Sequence, residues 1–455
     1  MTSRGAAYLL LAAAALGAAC TSRTPPRNVV LITLDTMRAD RLPAYGFDAV
    51  ATPALDRLAA EGAVFERAFA AVPLTLPSHA TLFTGLYPPR LSVYDNAGAP
   101  LGAEAETLAE VLASRGLATA AFVSSAVIAP GRGLEQGFDT YSLGKPSCPG
   151  SARVRRPAQE VVDESLDWLE GHGSSPFFVW MHFYDTHAPI QVPVDFALGY
   201  ADPYLAAIAY EDAQIARVVE YLERRGLLED SLIVVTADHG ESLGDHGEEA
   251  HGLFLYDEAL RVPLIVRGPG IAPARVPGAV RLIDVMPTVL EFFGRRMSSV
   301  EGVSFAALMS GADEAPREVY AESRYPERFG WANLRALRMG RWKVVDAPQP
   351  ELYDVVSDPG ELRNLYHANH REAARLLDRL QAGYAQPEAA STAPVVDRAL
   401  ASRLASLGYV AGSPRPTKSG SAPADPKTMI ETFNHITRGE AAKAAAPGRG
   451  RMSGC

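Results

Sequence analysis

The sequence predicts an α/β fold: a mostly parallel sheet with helices on both faces, plus a small antiparallel subdomain toward the C-terminus. Three observations lead there. Apolar runs beginning at Asn28, Phe177 and Ser231 each end in polar or ionisable groups, as buried parallel strands do when they deliver side chains at their C-terminal ends. Segments of helical period alternate with such runs, many closed by Gly-Leu or Gly-Pro punctuation, and that alternation is the pattern of a sheet covered on both faces. From Glu318 onward the strands shorten, with 334–337 and 342–345 separated by Gly340-Arg341, which reads as an antiparallel unit.

Taken in order, the chain starts with Arg4 and a short apolar stretch from Ala6 to Ala19. That length is too small to span a bilayer comfortably, so residues 1–20 read as a targeting signal and not as structure. The stretch ends in Leu16-Gly17-Ala18-Ala19-Cys20 and passes into a polar linker over 21–27. This resembles a bacterial lipoprotein signal in which Cys20 becomes the acylated first residue, although the Leu lies one position further from Cys20 than usual. It implies an exported periplasmic or outer-membrane lipoprotein, tethered to the membrane by an N-terminal lipid if Cys20 is acylated; plain secretion with Cys20 free is the alternative. A catalytic domain is expected over 28–313 and an α+β subdomain over 314–385. An Ala/Pro-rich linker and helical tail fill 386–455. Helices are expected at 53–62, 76–85, 107–116, 159–170, 204–226, 285–293, 396–407 and 428–445, and strands also at 118–123 and 264–266.

Composition narrows the function. A chain of 455 residues exceeds the usual single-core size, and its 47% hydrophobic content is that of a globular protein. The net charge of −10 excludes general nucleic-acid binding, which needs a basic surface. It does not exclude one anionic ester, because a bound metal and helix N–H groups supply a local positive field. The cysteines, Cys20, Cys148 and Cys455, are too few for a disulfide framework or a Cys-rich metal site.

The segment from Val72 to Gly85 places a hydroxyl, Thr75, where a loop turns into a helix, with Pro77 at an early helical position. Free N–H groups of such a first turn favour an anion, so a phosphate or sulfate ester would meet nucleophile and cradle together. The plainer reading makes Thr75 an N-cap. Asp35 ends one apolar run, and Asp238-His239 ends another. Ligand sites of open α/β sheets lie at such ends, so Asp35, Asp238 and His239 can share one divalent metal. Carboxylate plus imidazole suits Zn²⁺ or Mn²⁺, and an oxygen-rich set tolerates Ca²⁺ or Mg²⁺.

With these motifs in this order, and with Glu351-Leu352-Tyr353-Asp354, Asp358-Pro359 and Asn364-Leu365 downstream, the chain resembles the sulfatase branch of the alkaline-phosphatase superfamily from about Asn28 to Leu365. The family motif reads Cys or Ser, any residue, Pro, any residue, Arg. Here Thr75 takes the Cys/Ser position, Pro77 matches and His79 replaces the Arg. The resemblance implies Thr75 as a metal ligand and nucleophile, His187 as a group on the ester oxygen, and His251 near the position of a family Lys. It further implies His79 and Asn96 as substrate contacts. His182 and Asp284 read as structural, His246 as a weaker candidate, and Arg38 as an anion contact or a partner of Asp40.

Sulfatases oxidise their Cys or Ser to formylglycine, whereas oxidising a threonine gives a ketone. Phosphoryl or phosphonyl chemistry is therefore expected over sulfate ester hydrolysis, on a small-molecule, glycan or lipid head-group ester. The alternatives are a sulfatase working without formylglycine, a phospho-group transferase on envelope glycans or lipids, and a non-catalytic anion-binding domain.

Overall fold

The computed structural model describes residues 25–145, 154–384, 398–407, 409 and 422–445. The targeting signal with Cys20, together with Cys148, Cys455 and most of the Ala/Pro-rich linker, lies outside the described residues. Among the described residues no helix is long and apolar enough to cross a membrane.

The main sheet is built from β1 (Asn28–Leu34), β2 (Ala63–Phe69), β3 (Ala118–Val123), β4 (Thr140–Ser142), β5 (Phe177–Phe183), β6 (Ser231–Ala237), β7 (Arg261–Val262), β8 (Leu264–Arg267) and β9 (Ala274–Arg281). Their order is β4-β3-β5-β1-β6-β8-β2-β7, with β9 also paired to β2. The β4-β3-β5-β1-β6 block is parallel throughout. Beyond it, β8 runs antiparallel to both β6 and β2, so the sheet is mixed at one side. Every residue of β1, β5 and β6 is buried, which explains their uninterrupted apolar character.

Besides the short β4 and β7, two longer strands, β2 and β9, escaped the sequence reading. In β2 the pair Glu66-Arg67 interrupts the apolar pattern, and β9 contains Pro277-Gly278, both unusual for a strand interior. Between β7 and β8, Pro263 removes one ladder N–H, and its carbonyl accepts instead from the Thr236 hydroxyl at 2.8 Å.

The longer helices are α1 (Pro53–Glu61), α2 (Thr75–Thr84), α3 (Leu108–Ser114), α4 (Ala158–His172), α5 (Pro203–Arg224), α6 (Val285–Phe292), α7 (His370–Gly383), α8 (Arg398–Ser406) and α9 (Ile430–Ala445). Local chemistry sets several ends. Thr107 and Glu110 form a reciprocal capping box at α3. The Asp202 side chain caps α5, with Pro203 at its first position. Gly85 closes α2 with φ +67°, its N–H reaching the Thr81 carbonyl at 2.9 Å. Asp284, expected as a cap, accepts from the Arg281 backbone N–H at 3.0 Å and pairs with the Arg281 and Arg317 guanidiniums; its role is structural.

The second sheet is antiparallel, in the order β10 (Val319–Ser323), β11 (Leu334–Met339), β12 (Trp342–Asp346), β13 (Glu351–Asp354). A buried charge network ties it to the main sheet. Asp257, just before β7, accepts from Arg338 on β11 at 2.7 Å and from Lys343 on β12 at 2.9 Å. Burial works against the Asp257 carboxylate, but the Lys343 and Arg338 charges outweigh it and hold its pKa down to about 2. Asp257→Asn takes the carboxylate from two buried cations, leaving Lys343 with Glu361 at 2.8 Å and Arg338 over the Phe69 ring at 4.7 Å. A loss of about 3 kcal/mol, the lower end for a broken buried pair, is expected from denaturant unfolding at neutral pH; a loss under about 0.5 kcal/mol is the figure for an exposed pair and contradicts this account.

Candidate functional site

In the strand register, Leu34 lies opposite Ala237 of β6 on one side and Phe183 of β5 on the other. The next residues, Asp35, Asp238 and Tyr184, therefore leave the sheet at one level, at the C-terminal ends of three adjacent parallel strands. Thr36 then turns the chain with φ +58°, a left-handed conformation that is strained for a β-branched residue. The turn lets its N–H donate to Asp238 Oδ1 at 3.2 Å. The Thr186 hydroxyl, from the loop after β5, donates to the Asp35 carbonyl at 2.6 Å. The Ser78 hydroxyl of α2 likewise donates to the Asp238 carbonyl at 2.6 Å.

Asp35, Asp238 and His239 come together as expected, with one ligand atom from each lying within 4.8 Å of the others. All three side chains are fully buried. Asp35 Oδ1, Asp238 Oδ2 and His239 Nε2 have no hydrogen-bond partner among the described residues. His239 Nδ1–H donates to the Gly240 carbonyl at 2.9 Å, which leaves the Nε2 lone pair facing the two carboxylates. Buried, unpartnered and convergent, this donor set fits a divalent cation. A second group, His79, His182 and Asp238, is also close enough to hold an ion, but the His79 nitrogens are already engaged.

Burial drives the electrostatics. It pushes the Asp35 carboxyl up to about 7, against the pull of His239 and the Thr75 hydrogen bond. Asp238 is raised by burial and by the Asp35 charge. Burial opposes protonation of His239, yet the Asp238 and Asp35 carboxylates raise its pKa. Each shift is what a site built around positive charge shows without it.

Thr75 is not a cap. Leu74 occupies the N-cap position with no side-chain bond, and Thr75 opens α2. Its hydroxyl donates to Asp35 Oδ2 at 3.3 Å. The expected cradle of free N–H groups is smaller than the motif suggests. Pro77 has no N–H, and the Leu76 N–H donates to Asn96 Oδ1 at 2.9 Å. That contact fixes the amide orientation of Asn96, and its Nδ2 is buried without a partner among the described residues. Asn96 thus offers one donor in place of the one it occupies.

His79 lies beneath the helix start. Its Nδ1 contacts the Thr75 carbonyl at 2.8 Å and its Nε2 the Thr33 hydroxyl at 3.0 Å. The expectation that His79 binds substrate therefore meets a ring with both nitrogens engaged. Burial holds it neutral, with its pKa lowered to about 3. His182, read as packing, reaches the site: its Nε2 lies 3.3 Å from Asp35 Oδ2, while Ser124 N–H donates to its Nδ1 at 3.4 Å.

His187 and His251 stand together, their ring centres 5.1 Å apart. His187 Nδ1–H donates to the Ala188 carbonyl, and His251 Nδ1–H to Glu241 Oε1 at 3.0 Å. Both Nε2 atoms face the Tyr409 hydroxyl, at 2.9 Å and 3.1 Å. Burial lowers the pKa of both histidines well below the usual value. Tyr409 carries no motif, and neither Glu241 nor Thr36 stood out as more than a strand-end residue. His246 is elsewhere, stacked on Tyr256 and bonded to Glu258 Oε1 at 2.7 Å. Arg38 pairs with Asp40 and Asp245, each at 2.8 Å.

Comparison with known proteins gives the family of this chain. The family described as Sulfatase matches residues 27–295, and the family described as N-sulphoglucosamine sulphohydrolase, C-terminal, matches residues 244–386. The choline-sulfatase of Rhizobium meliloti (strain 1021) is 26% identical over 74% of this chain and 82% of its own length. Arylsulfatase A of Homo sapiens is 27% identical over 85% of this chain and 93% of its own length. Among solved structures, the phosphonate monoester hydrolase of Agrobacterium radiobacter superposes with a TM-score of 0.65 at 24% identity, covering 79% of this chain and 95% of that one, and shares the fold. Sulfatase-superfamily enzymes use a divalent metal ion, and the Asp35–Asp238–His239 cluster offers candidate ligands for one. The chain belongs to the sulfatase family of the alkaline-phosphatase superfamily and is an ester hydrolase.

Proposed function

We propose that this chain hydrolyses an anionic phosphorus ester by attack of the Thr75 hydroxyl. The observation that carries the reading is the 3.3 Å hydrogen bond from Thr75 to Asp35 Oδ2, at the head of a buried helix and beside three unpartnered ligand atoms. A threonine cannot mature to formylglycine, so the hydroxyl itself must attack. A divalent cation held by Asp35, Asp238, His239 and Thr75 supplies Lewis-acid charge that makes such a hydroxyl more acidic and offsets the charge of the ester.

The remaining roles fall to side chains in place. Thr75 Oγ1 gives up its proton along the bond to Asp35 Oδ2 as the Oγ1–P bond forms and the bond to the leaving oxygen breaks. Asn96 Nδ2 donates to an equatorial oxygen of the ester. Neutral, with Nδ1 held by the Ala188 carbonyl and by Glu241, His187 and His251 present Nε2 toward the leaving oxygen and orient the water that protonates it as it departs. Water then cleaves the phosphothreonine, releasing the phosphorus acid and restoring the hydroxyl. The phosphonate monoester hydrolase among the structural neighbours fits this chemistry. The choline-sulfatase and arylsulfatase relatives favour the sulfate-ester reading instead.

Export is also part of the reading: the N-terminal segment directs secretion, with Cys20 as the acylated residue. Fatty-acid labelling of the wild type and loss of the label in Cys20→Ser are expected in a bacterial host; equal labelling excludes that anchor.

Two measurements test the site. Thr75→Ala is expected to lower kcat by about 10³-fold or more on aryl phosphate, phosphodiester and phosphonate esters, while Thr75→Ser retains activity. Turnover of sulfate esters alone overturns the phosphorus preference, and activity surviving in Thr75→Ala removes the nucleophile. A divalent metal at about 100 times its Kd is expected to stabilise the folded chain by about 2.7 kcal/mol, read as a rise in Tm. Asp238→Asn should abolish that rise, and an unchanged rise places the ion elsewhere.

A further inference from the structure

The Tyr409 side chain comes from a stretch far outside the catalytic motifs, yet its hydroxyl sits among them. It lies 2.9 Å from His187 Nε2 and 3.1 Å from His251 Nε2, and Thr75 is among the groups that act on it. An ester can react only with its phosphorus or sulfur against the Thr75 oxygen and its leaving oxygen near the two histidines. The phenol spans that same space. While it is seated, Thr75, Asp35, Asp238 and His239 are all fully buried, and the phenol holds the place of a leaving group beside the two histidines. Tyr409 as seated is therefore an obstacle and not a proton donor to a bound ester.

Its tether is short and local. The Tyr409 N–H donates to the Leu404 carbonyl at 2.9 Å. Leu404 and Leu407 are buried, and α8 packs on the 3₁₀ turn Ala126–Ile128 and on α9. The α9 helix is pinned separately, with Asn434 Nδ2–H donating to the Gly247 carbonyl at 2.7 Å and Arg438 paired with Glu249. Thus α9 has anchors of its own at residues 247–249, apart from its contact with α8.

We infer that α8 and Tyr409 form an intramolecular plug, with the phenol standing in for the ester at the reacting centre, and that substrate must displace it. The inference rests on Thr75 marking that centre. It implies a site that accepts an aromatic alcohol between His187 and His251, so aryl esters are the probes of choice.

The test uses the full metal-loaded chain, as wild type, Tyr409→Ala and Tyr409→Phe. If the site is open in roughly one molecule in ten, Tyr409→Ala should bind orthovanadate about tenfold more tightly and raise kcat/KM for 4-nitrophenyl esters by a similar factor. Tyr409→Phe, which keeps the ring and loses the hydroxyl, should fall between. In the wild type, saturating orthovanadate should speed amide hydrogen exchange in 398–406 and leave the central strand 231–237 unchanged, a readout that stands even if a variant fails to fold. Unchanged vanadate affinity with unchanged exchange overturns the plug. A hundredfold fall in kcat at constant affinity also overturns it, because Tyr409 is then catalytic. Turnover that survives Thr75→Ala while Tyr409→Ala still gains affinity removes the nucleophile and keeps the plug.

Discussion

Asp35 and Asp238 leave neighbouring parallel strands at the same level, fully buried, and each carries an oxygen that no described donor reaches. Burying one carboxylate costs several kcal/mol after relaxation, and a second one beside it adds repulsion. One imidazole, His239, cannot offset both. The surrounding fold is arranged to hold this unfavourable pair in place. Thr36 accepts a left-handed backbone to bring an N–H to Asp238, and the Ser78 and Thr186 hydroxyls clamp the carbonyls of Asp238 and Asp35. Such investment around two like charges makes sense only when a cation completes the set.

The parts of this arrangement that depend on local pattern were readable in the sequence. An uninterrupted apolar strand followed by a carboxylate marks both ends of the metal cluster, and β1, β5 and β6 read cleanly because both faces of each are covered. Where a strand mixes solvent and core, as in β2 with Glu66-Arg67, the period is lost. The position of Thr75 was legible, but its cradle was not. Whether a first-turn N–H is free depends on a partner such as Asn96, which arrives from beyond the helix. His182 is packed and hydrogen-bonded as expected, but its neighbour was not legible. Midway along an apolar run it looks like packing, and only the register of β5 against β1 turns its Nε2 toward Asp35. Tyr409 had no pattern to detect, since its role comes wholly from where the chain returns.

The replacement of the family Arg by His79 bears on which ester suits this site. The resemblance sets a permanent cation at that position, and here the structure has an imidazole kept neutral by burial, bonded to Thr33 and to the Thr75 carbonyl. With a divalent ion set against two carboxylates, the cluster is neutral and has no positive charge to spare for the substrate. Relative to an Arg-bearing site, that balance disfavours a dianionic phosphate monoester. A singly charged ester adds one net negative charge where a dianion adds two, a difference worth more in a low-dielectric pocket than in water. Phosphonate monoesters, phosphodiesters and sulfate monoesters all carry that single charge. Charge therefore bears on the ester class, and under the proposed attack by Thr75 the chemistry of a threonine side chain is what would favour phosphorus over sulfur.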